Sequence, residues 1–149
     1  MSAPDLVDTS MITFLLENRL PTPTEHRRLA EAVGWHEAFD WATMPGSLAG
    51  STLGVVASVG SRAVGMVRVV GDGVKYFYIQ DVAVDPEYQR AGIGRAMLRR
   101  TLDLIADRAP SPAFVGLFAT ADGAALYESF GFSQGDMTGL ALIVAPTSE

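Results

Sequence analysis

The chain contains no cysteine and a single lysine, Lys75, and these shortages narrow its chemistry. Without cysteine it has no disulfide, no thiol nucleophile and no thiolate ligand for a metal. The two histidines, His26 and His36, make a poor ligand set on their own, so we expect no metal site. The chain also lacks any apolar run near the roughly 20 residues that a membrane-spanning helix needs, so we expect no membrane partner.

The chain is acidic, with a net charge of −6, and its arginines are concentrated in one region. Proteins that bind nucleic acid are usually basic, so we expect no nucleic-acid partner. The arginines between Arg90 and Arg108 form a local basic patch, which favours a small anionic ligand. The N-terminal segment carries Asp5 and Asp8 without a basic stretch, so we expect no signal peptide and a cytoplasmic location.

The length and the apolar pattern predict the organisation of the chain. Its 149 residues, 48% of them hydrophobic, indicate one domain over residues 1–149 with a buried core. Apolar periodicity and Gly or Pro breaks divide this domain into elements. Helices are predicted at 22–33, 36–42, 92–106 and 121–130, and strands at 11–16, 52–58, 63–70, 74–84, 113–119, 132–137 and 140–144.

The connections between these elements predict an α/β fold with a mixed sheet. Short turns at 60–62 and 71–73 favour antiparallel neighbours among the strands on either side of them. Residues 74–119 form a strand–helix–strand unit, which predicts a right-handed parallel crossover. The strand at 113–119 is dominated by apolar residues, so we expect it to lie in the middle of the sheet.

Two glycines, Gly92 and Gly94, separate the strand that ends at Asp85-Pro86 from the helix that follows. Glycine has no Cβ, so the backbone there can approach a ligand closely. The free N–H groups and the dipole of a helix N-terminus favour negative charge. The turn therefore predicts a phosphate or pyrophosphate site at the C-terminal end of the strand, where α/β sheets commonly bind ligands.

Two common phosphate loops do not fit this turn. A P-loop needs two glycines five residues apart followed by Lys and Ser or Thr, and the chain has no such run. A dinucleotide-binding loop needs a third glycine at position 97, where this chain has Met97. Both loops are therefore excluded by residue identity.

A third pattern fits both the turn and a later segment. The run 82–94, Val-Ala-Val-Asp-Pro-Glu-Tyr-Gln-Arg-Ala-Gly-Ile-Gly, resembles the acyl-CoA loop of the GNAT superfamily of N-acetyltransferases. The run 124–132, Ala-Ala-Leu-Tyr-Glu-Ser-Phe-Gly-Phe, is similar to that family's aromatic helix and Gly-Phe pair. The resemblance covers about residues 76–132 and is vague before them. It implies a GNAT fold, in which a mixed, mostly antiparallel, splayed sheet of six or seven strands is flanked by about four helices.

The resemblance implies acetyl-CoA as the co-substrate, held largely by backbone groups. Loop N–H groups would cradle the pyrophosphate, and the preceding strand would pair with the pantetheine arm. One N–H near Val82 would polarise the thioester carbonyl. Thr120 stands where many relatives have an asparagine that contacts the cofactor. The implied acetyl-CoA-binding residues are Val82, Ala83, Val84, Gln89, Arg90, Ala91, Gly92, Ile93, Gly94, Arg95, Thr120 and Tyr127.

The catalytic residues that the resemblance implies are Tyr127 and Asp81. Tyr127 stands where the family places its general acid, and a phenol can protonate a departing thiolate. The base stays open, because Gln80 stands where an acid is often found. Asp81 is the nearest carboxylate and is either the base or a buried hydrogen-bond acceptor, and a water chain is a third option. His26, among charged neighbours, is predicted to be a solvated helix residue.

The acceptor lies in the vague part of the resemblance. The aromatic residues that can line a pocket or belong to the core are Trp35, Phe39, Trp41, Tyr76 and Tyr78. The acidity favours a cationic amine. We predict an N-acetyltransferase that moves the acetyl group of acetyl-CoA to a primary amine of a small molecule. A protein or peptide lysine or N-terminal acetyltransferase and a non-catalytic acyl-CoA-binding regulatory module are the alternatives, and family habit alone suggests a homodimer.

Overall fold

The fold of the chain is given by a computed structural model that describes residues 12–147. In chain order its elements are β1 (Leu15–Glu17), α1 (Pro23–Ala32), α2 (Met44–Ala49), β2 (Leu53–Val59), β3 (Arg62–Gly71), β4 (Tyr76–Val84), a short 3-10 turn (Pro86–Tyr88), α3 (Ile93–Arg108), β5 (Phe114–Leu117) and α4 (Ala124–Glu128). The predicted mixed α/β class is confirmed.

The five strands form one sheet in the order β1-β2-β3-β4-β5. The first four strands pair with one another in antiparallel fashion. For the pairs β2–β3 and β3–β4 the short turns predict this arrangement, whereas α1 and α2 lie between β1 and β2. β4 and β5 pair in parallel, because α3 carries the chain back to the end of the sheet where β4 begins, and β5 starts there. The predicted strand–helix–strand unit is therefore confirmed.

Helices pack on both faces of this sheet. On one face Leu29 of α1 packs with Val56, Met66 and Ala83 from three strands. Neighbouring residues of a strand point to opposite faces, so Gly65, beside Met66, belongs to the other face, which α3 covers. A Cβ at Gly65 would lie 2.9 Å from the Met97 side chain. The missing side chain lets the first turns of α3 pack directly against the sheet near the end of β4.

The chain divides into two compact units, of which the first ends at Leu117 and the second begins at Phe118. The second unit contains α4, and its described part, residues 118–147, contains no strand, so the strands predicted at 132–137 and 140–144 are wrong. Even a continuous apolar run such as 140–144 does not make a strand without a paired neighbour. The sheet of the described residues accordingly has five strands rather than six or seven, and a single domain over the whole chain stays a prediction.

Three further element predictions differ from the structure. Residues 36–42 form turns instead of a helix. The second helix begins at Met44, and Pro45 does not interrupt it because proline is tolerated in the first turn of a helix. The apolar β5 is an edge strand of the described sheet rather than a central one, because no further strand pairs with it among residues 12–147. The first strand begins at Leu15, and Met11 lies outside the described residues.

The predicted start of α1 is confirmed, and it provides a stability test. Thr22 accepts a hydrogen bond from Glu25 N–H, and the Glu25 carboxylate accepts one from Thr22 N–H. Thr22→Ala removes one half of this capping box and should lower the free energy of unfolding by about 1 kcal/mol. Thr24→Ala, at an exposed position in the same turn, is the control and should change it by no more than about 0.5 kcal/mol. Equal effects in urea unfolding would contradict the assignment.

Candidate functional site

The glycine turn leaves the backbone N–H groups at the N-terminus of α3 without a side-chain cap. Gly92 adopts a left-handed conformation with φ of +83°, and no side chain caps the helix. The first helical hydrogen bond runs from Ala96 N–H to Gly92 O, so the N–H groups of Ile93 and Gly94 precede it. The first turn contains no acidic residue, and a Cβ at Gly92 would meet nothing within 4 Å. This end of the helix is therefore open to an anion.

The side chains around the turn hold it in place. Ala91 and Ile93 are buried and anchor the turn to the core, whereas Arg90 and Arg95 are exposed. Gln89 donates a side-chain hydrogen bond to Val84 O at 3.1 Å, which ties the turn to the end of β4. Arg90 has a φ of +69°, the one positive φ outside glycine among residues 12–147. Such strained conformations concentrate at functional sites.

The second feature is an open edge on β4. Pairing with β5 ends at Ile79 opposite Leu117, whereas β4 continues to Val84. The N–H direction alternates along a strand, and Asp85 N–H bonds to Val64 O of β3. The N–H groups of Val82 and Val84 therefore point away from β3, toward the open edge.

The backbone N–H of Ala83 points the opposite way from those of Val82 and Val84. Its backbone faces β3, and its side chain lies in the core beneath α1. Of the three strand residues that the resemblance implied for acetyl-CoA, the geometry favours Val82 and Val84 as backbone partners and gives Ala83 a packing role. The open edge fits an extended chain added as a strand.

A β-bulge marks the beginning of this open edge. In the ladder with β3, Arg68 pairs with Asp81, whereas Val69 pairs with Ile79, so Gln80 is an extra residue. The bulge turns Ile79 and Asp81, two residues apart, to opposite faces of the sheet. Asp81 consequently faces α1, and the exposed Gln80 lies where pairing with β5 stops.

Asp81 is buried and is bonded by two partners. Its Oδ2 accepts hydrogen bonds from Arg68 Nε and His26 Nε2, both at 2.9 Å. Burial raises the pKa of Asp81, but the hydrogen bonds and charges of His26 and Arg68 outweigh burial and hold this pKa below its usual value. A carboxylate with a lowered pKa and little exposure is a poor proton acceptor, so the geometry favours the reading of Asp81 as a buried hydrogen-bond acceptor.

The prediction that His26 is solvated is wrong, because its side chain is completely buried. It lies on the inner face of α1, in line with Leu29 and Ala30, and this i, i+3, i+4 spacing is the signal that could have identified it. Its Nδ1 has no protein partner among the described residues. Arg68 was also missed, although a charge within the apolar run of β3 indicates a buried pair.

The connection between α1 and α2 carries an aromatic cluster over His26. The Phe39 ring lies edge-on to the His26 ring at 5.0 Å and 5.2 Å from the Trp41 ring. Trp35 is 6.3 Å from Phe39, and the Arg27 guanidinium stacks 5.0 Å above Trp41. Three of the aromatic candidates for an acceptor pocket are thus brought together, and the stacked arginine shows that Trp41 can face a cation.

The other two aromatic candidates lie on β4 and do not join this cluster. Tyr76 is 56% exposed and contacts Phe114 of β5 at 6.1 Å between ring centroids. Tyr78 is half-buried, and burial raises its pKa. Tyr78 is therefore protonated at neutral pH.

The second unit holds Tyr127 and Thr120. Tyr127 is a half-buried residue of α4 whose ring packs edge-on against Phe132 at 5.9 Å. Burial raises the pKa of Tyr127, so its phenol keeps its proton at neutral pH. The Thr120 hydroxyl accepts a hydrogen bond from Gly123 N–H at the start of α4 and can still donate one.

A surface cavity of about 480 Å³ lies elsewhere, beside the C-terminal half of α3. The two arginines of its lining are already engaged in the fold, since Arg19 pairs with Glu25 and Arg108 donates to Gly73 O and Thr52 O. Residues 12–147 contain no group of three side chains placed to share a metal ion. Within the same residues, none of the helices combines the length and apolar character that crossing a membrane requires.

Comparison with known proteins decides the family. Residues 51–134 match the family described as Acetyltransferase (GNAT) domain, which is more than half of the chain. The chain belongs to the GNAT family of acetyltransferases. The resemblance drawn from the two motifs is confirmed, and the GNAT acetyltransferase can be compared with its relatives.

The curated relatives of this GNAT acetyltransferase are bacterial. It is 38% identical over 73 residues to the ribosomal protein bS18-alanine N-acetyltransferase of Escherichia coli, covering 48% of this chain and 47% of that one. The match thus spans about half the length of that relative. The Salmonella typhimurium protein of the same name is 30% identical over 126 residues, 83% of this chain and 80% of that one.

A solved GNAT structure shows the same fold. The acetyltransferase from Streptococcus pneumoniae superposes with a TM-score of 0.76 at 27% identity, over 90% of this chain and 100% of that chain. The GNAT fold predicted from the sequence is thereby confirmed.

The engagement of Asp81 predicts acid-sensitive stability. Asp81→Asn should lower the free energy of unfolding at pH 7 by about 3 kcal/mol, because buried Arg68 would lose its charged partner. The pKa of Asp81 is lowered on folding, so this stabilisation is present above about pH 4 and is lost as the pH falls through the lower folded-state value. Urea unfolding of both proteins between pH 7 and pH 2 should therefore converge on acidification. A difference that stays constant with pH would contradict the assignment.

Proposed function

We propose that this GNAT acetyltransferase transfers the acetyl group of acetyl-CoA to a primary amine of a small molecule. The observation that carries the proposal is the conjunction of an uncapped helix N-terminus at Gly92 with an open strand edge at Val82 and Val84. One binds a phosphate and the other an extended amide chain. Acetyl-CoA combines these two chemistries in one molecule and supplies an activated acetyl thioester.

The donor half of the site acts through backbone groups. The N–H groups of Ile93 and Gly94 bind the pyrophosphate, and the exposed side chains of Arg90 and Arg95 add positive charge around it. The Val82 N–H at the open edge donates a hydrogen bond to the thioester carbonyl and stabilises charge that develops on its oxygen.

Proton transfers need two further groups. Tyr127, protonated at neutral pH, gives its proton to the departing thiolate. Neither Gln80 nor the paired Asp81 is suited to accept the proton of the amine. We therefore assign this proton to a water chain rather than to Asp81.

The acceptor class is inferred from charge and aromatic content. The net charge of −6 attracts a cationic amine. The cluster of Trp35, Phe39 and Trp41 offers ring faces that bind an ammonium or an alkyl chain, as the Arg27 stack on Trp41 illustrates. A polyamine, an arylalkylamine or an aminoglycoside has the required chemistry.

A protein α-amine is the second candidate. The relatives from Escherichia coli and Salmonella typhimurium carry the name of an N-acetyltransferase of an alanine of ribosomal protein bS18. Their likeness to this chain favours an N-terminal alanine as the acceptor. The third possibility, a non-catalytic acyl-CoA-binding module, is supported by the lack of a carboxylate at Gln80.

A turnover assay separates these candidates. Acetyl-CoA is incubated with the protein and a panel of small amines or a peptide that begins with alanine, and released thiol is followed with a chromogenic reagent. We expect thiol release that depends on a small amine. Turnover on the peptide alone would select the second candidate, and tight acetyl-CoA binding without turnover on any amine would select the binding module.

Tyr127→Phe tests the general acid. The phenylalanine keeps the ring and its contact with Phe132 but cannot donate a proton. We expect kcat to fall about 100-fold, while the Kd of acetyl-CoA from calorimetry changes little. Tyr88→Phe, in the 3-10 turn, is the matched control and should keep kcat within about twofold. A kcat equal to that of the wild type would remove Tyr127 from the mechanism.

A further inference from the structure

Arg68, Asp81 and His26 form a buried cluster at the point where β4 becomes an open edge. Arg68 and Asp81 face each other across the β3–β4 ladder, next to the bulged Gln80. Pairing of β4 with β5 ends at Ile79, one residue before the bulge. The cluster, the bulge and the beginning of the open edge therefore coincide.

The contacts of this buried cluster join four elements. His26 comes from α1, Arg68 from β3 and Asp81 from β4, and their relative exposures are 0%, 4% and 3%. Arg68 Nη1 also lies 3.3 Å from the hydroxyl of Ser47 in α2 and 3.2 Å from that of Ser51. None of the three side chains is exposed enough to meet a substrate, so a role in the reaction must act through another group.

The group next to the cluster is the Val82 N–H. Asp81 and Val82 share a peptide bond, and the hydrogen of that peptide is the one that points toward the open edge. A bulge bends and twists its strand, and its geometry depends on what holds the residues on either side. Two donors at 2.9 Å hold the Asp81 side chain, so they restrict rotation of the Asp81–Val82 peptide.

We propose that Arg68, Asp81 and His26 are positioning residues that direct the Val82 N–H at the thioester carbonyl. The proposal rests on acetyl-CoA as the donor. A hydrogen bond to a developing oxyanion is effective only within a narrow range of distance, so a small rotation of this peptide weakens it strongly. The buried cluster consequently controls kcat and leaves the binding of the pyrophosphate to the glycine turn.

The test replaces the buried cluster with apolar side chains of similar volume. The triple variant Arg68→Met, Asp81→Leu, His26→Leu leaves no unpaired buried charge, and such replacements are often tolerated by the fold. We expect kcat to fall about 10- to 100-fold. This fall is smaller than the one expected if an oxyanion donor were removed altogether. The Kd of acetyl-CoA should stay within about threefold, because the glycine turn is unchanged.

A spectroscopic measurement follows the carbonyl itself. Infrared difference spectra of acetyl-CoA with a ¹³C-labelled thioester carbonyl should show a shift to lower frequency on binding to the wild type and a smaller shift in the triple variant. This readout needs no acceptor, so it reports on the buried cluster even if no amine is found to be acetylated. Thr101→Val, which removes a buried hydroxyl in α3, is the control and should keep the wild-type frequency and kcat.

The outcomes divide clearly. A folded triple variant with wild-type carbonyl frequency and kcat would overturn the proposal, as would parallel losses of kcat and acetyl-CoA affinity, which indicate general loosening. The absence of any carbonyl shift in the wild type would overturn it as well.

If the triple variant does not fold, Arg68→Lys and His26→Gln keep polar donors at both positions and should give partial losses of kcat and of carbonyl shift. Unchanged values in both single variants would then reject the proposal.

Discussion

One extra residue in β4 is the constraint on which the geometry of its open edge depends. Backbone N–H direction and side-chain direction both alternate along a strand, so the bulge at Gln80 resets both for every residue that follows. It sends the Val82 N–H toward the open edge and the Asp81 side chain beneath α1. The same bulge marks the point where pairing with β5 stops. With regular pairing, the alternation would instead direct the N–H groups of Asp81 and Ala83 toward that edge.

The start of α3 is placed by packing rather than by its own sequence alone. The helix must lie against the sheet closely enough for the glycine turn to follow directly from β4. Gly65 on β3 allows this, since a Cβ there would lie 2.9 Å from the end of the Met97 side chain, which would have to shift. The buried side chains of Ala91 and Ile93 then anchor the turn to the core, while Gly92 leaves its solvent-facing side without a side chain. The position of the uncapped helix start therefore depends on close helix–sheet contact.

The buried polar residues of the first unit illustrate the limits of sequence patterns. Arg68, Asp81 and His26 are costly to bury one by one, and they are accommodated only because each satisfies another. His26 and Asp81 are 55 residues apart in the chain, so no local pattern joins them. The charged neighbours of His26 indicate solvent, whereas its spacing to Leu29 indicates the core, and tertiary packing decided between these two signals.

The sequence by itself determined the uncapped start of α3, because a glycine turn between a strand and a helix leaves backbone N–H groups exposed within about a dozen residues. It also determined the capped start of α1 and the order of elements from β2 through α4, which are local in the same sense. The tertiary structure decided which polar groups are buried, where β4 loses its partner and which aromatic residues meet. Those properties arise from contacts between distant segments, and their free energy depends on shared burial rather than on any single stretch of chain.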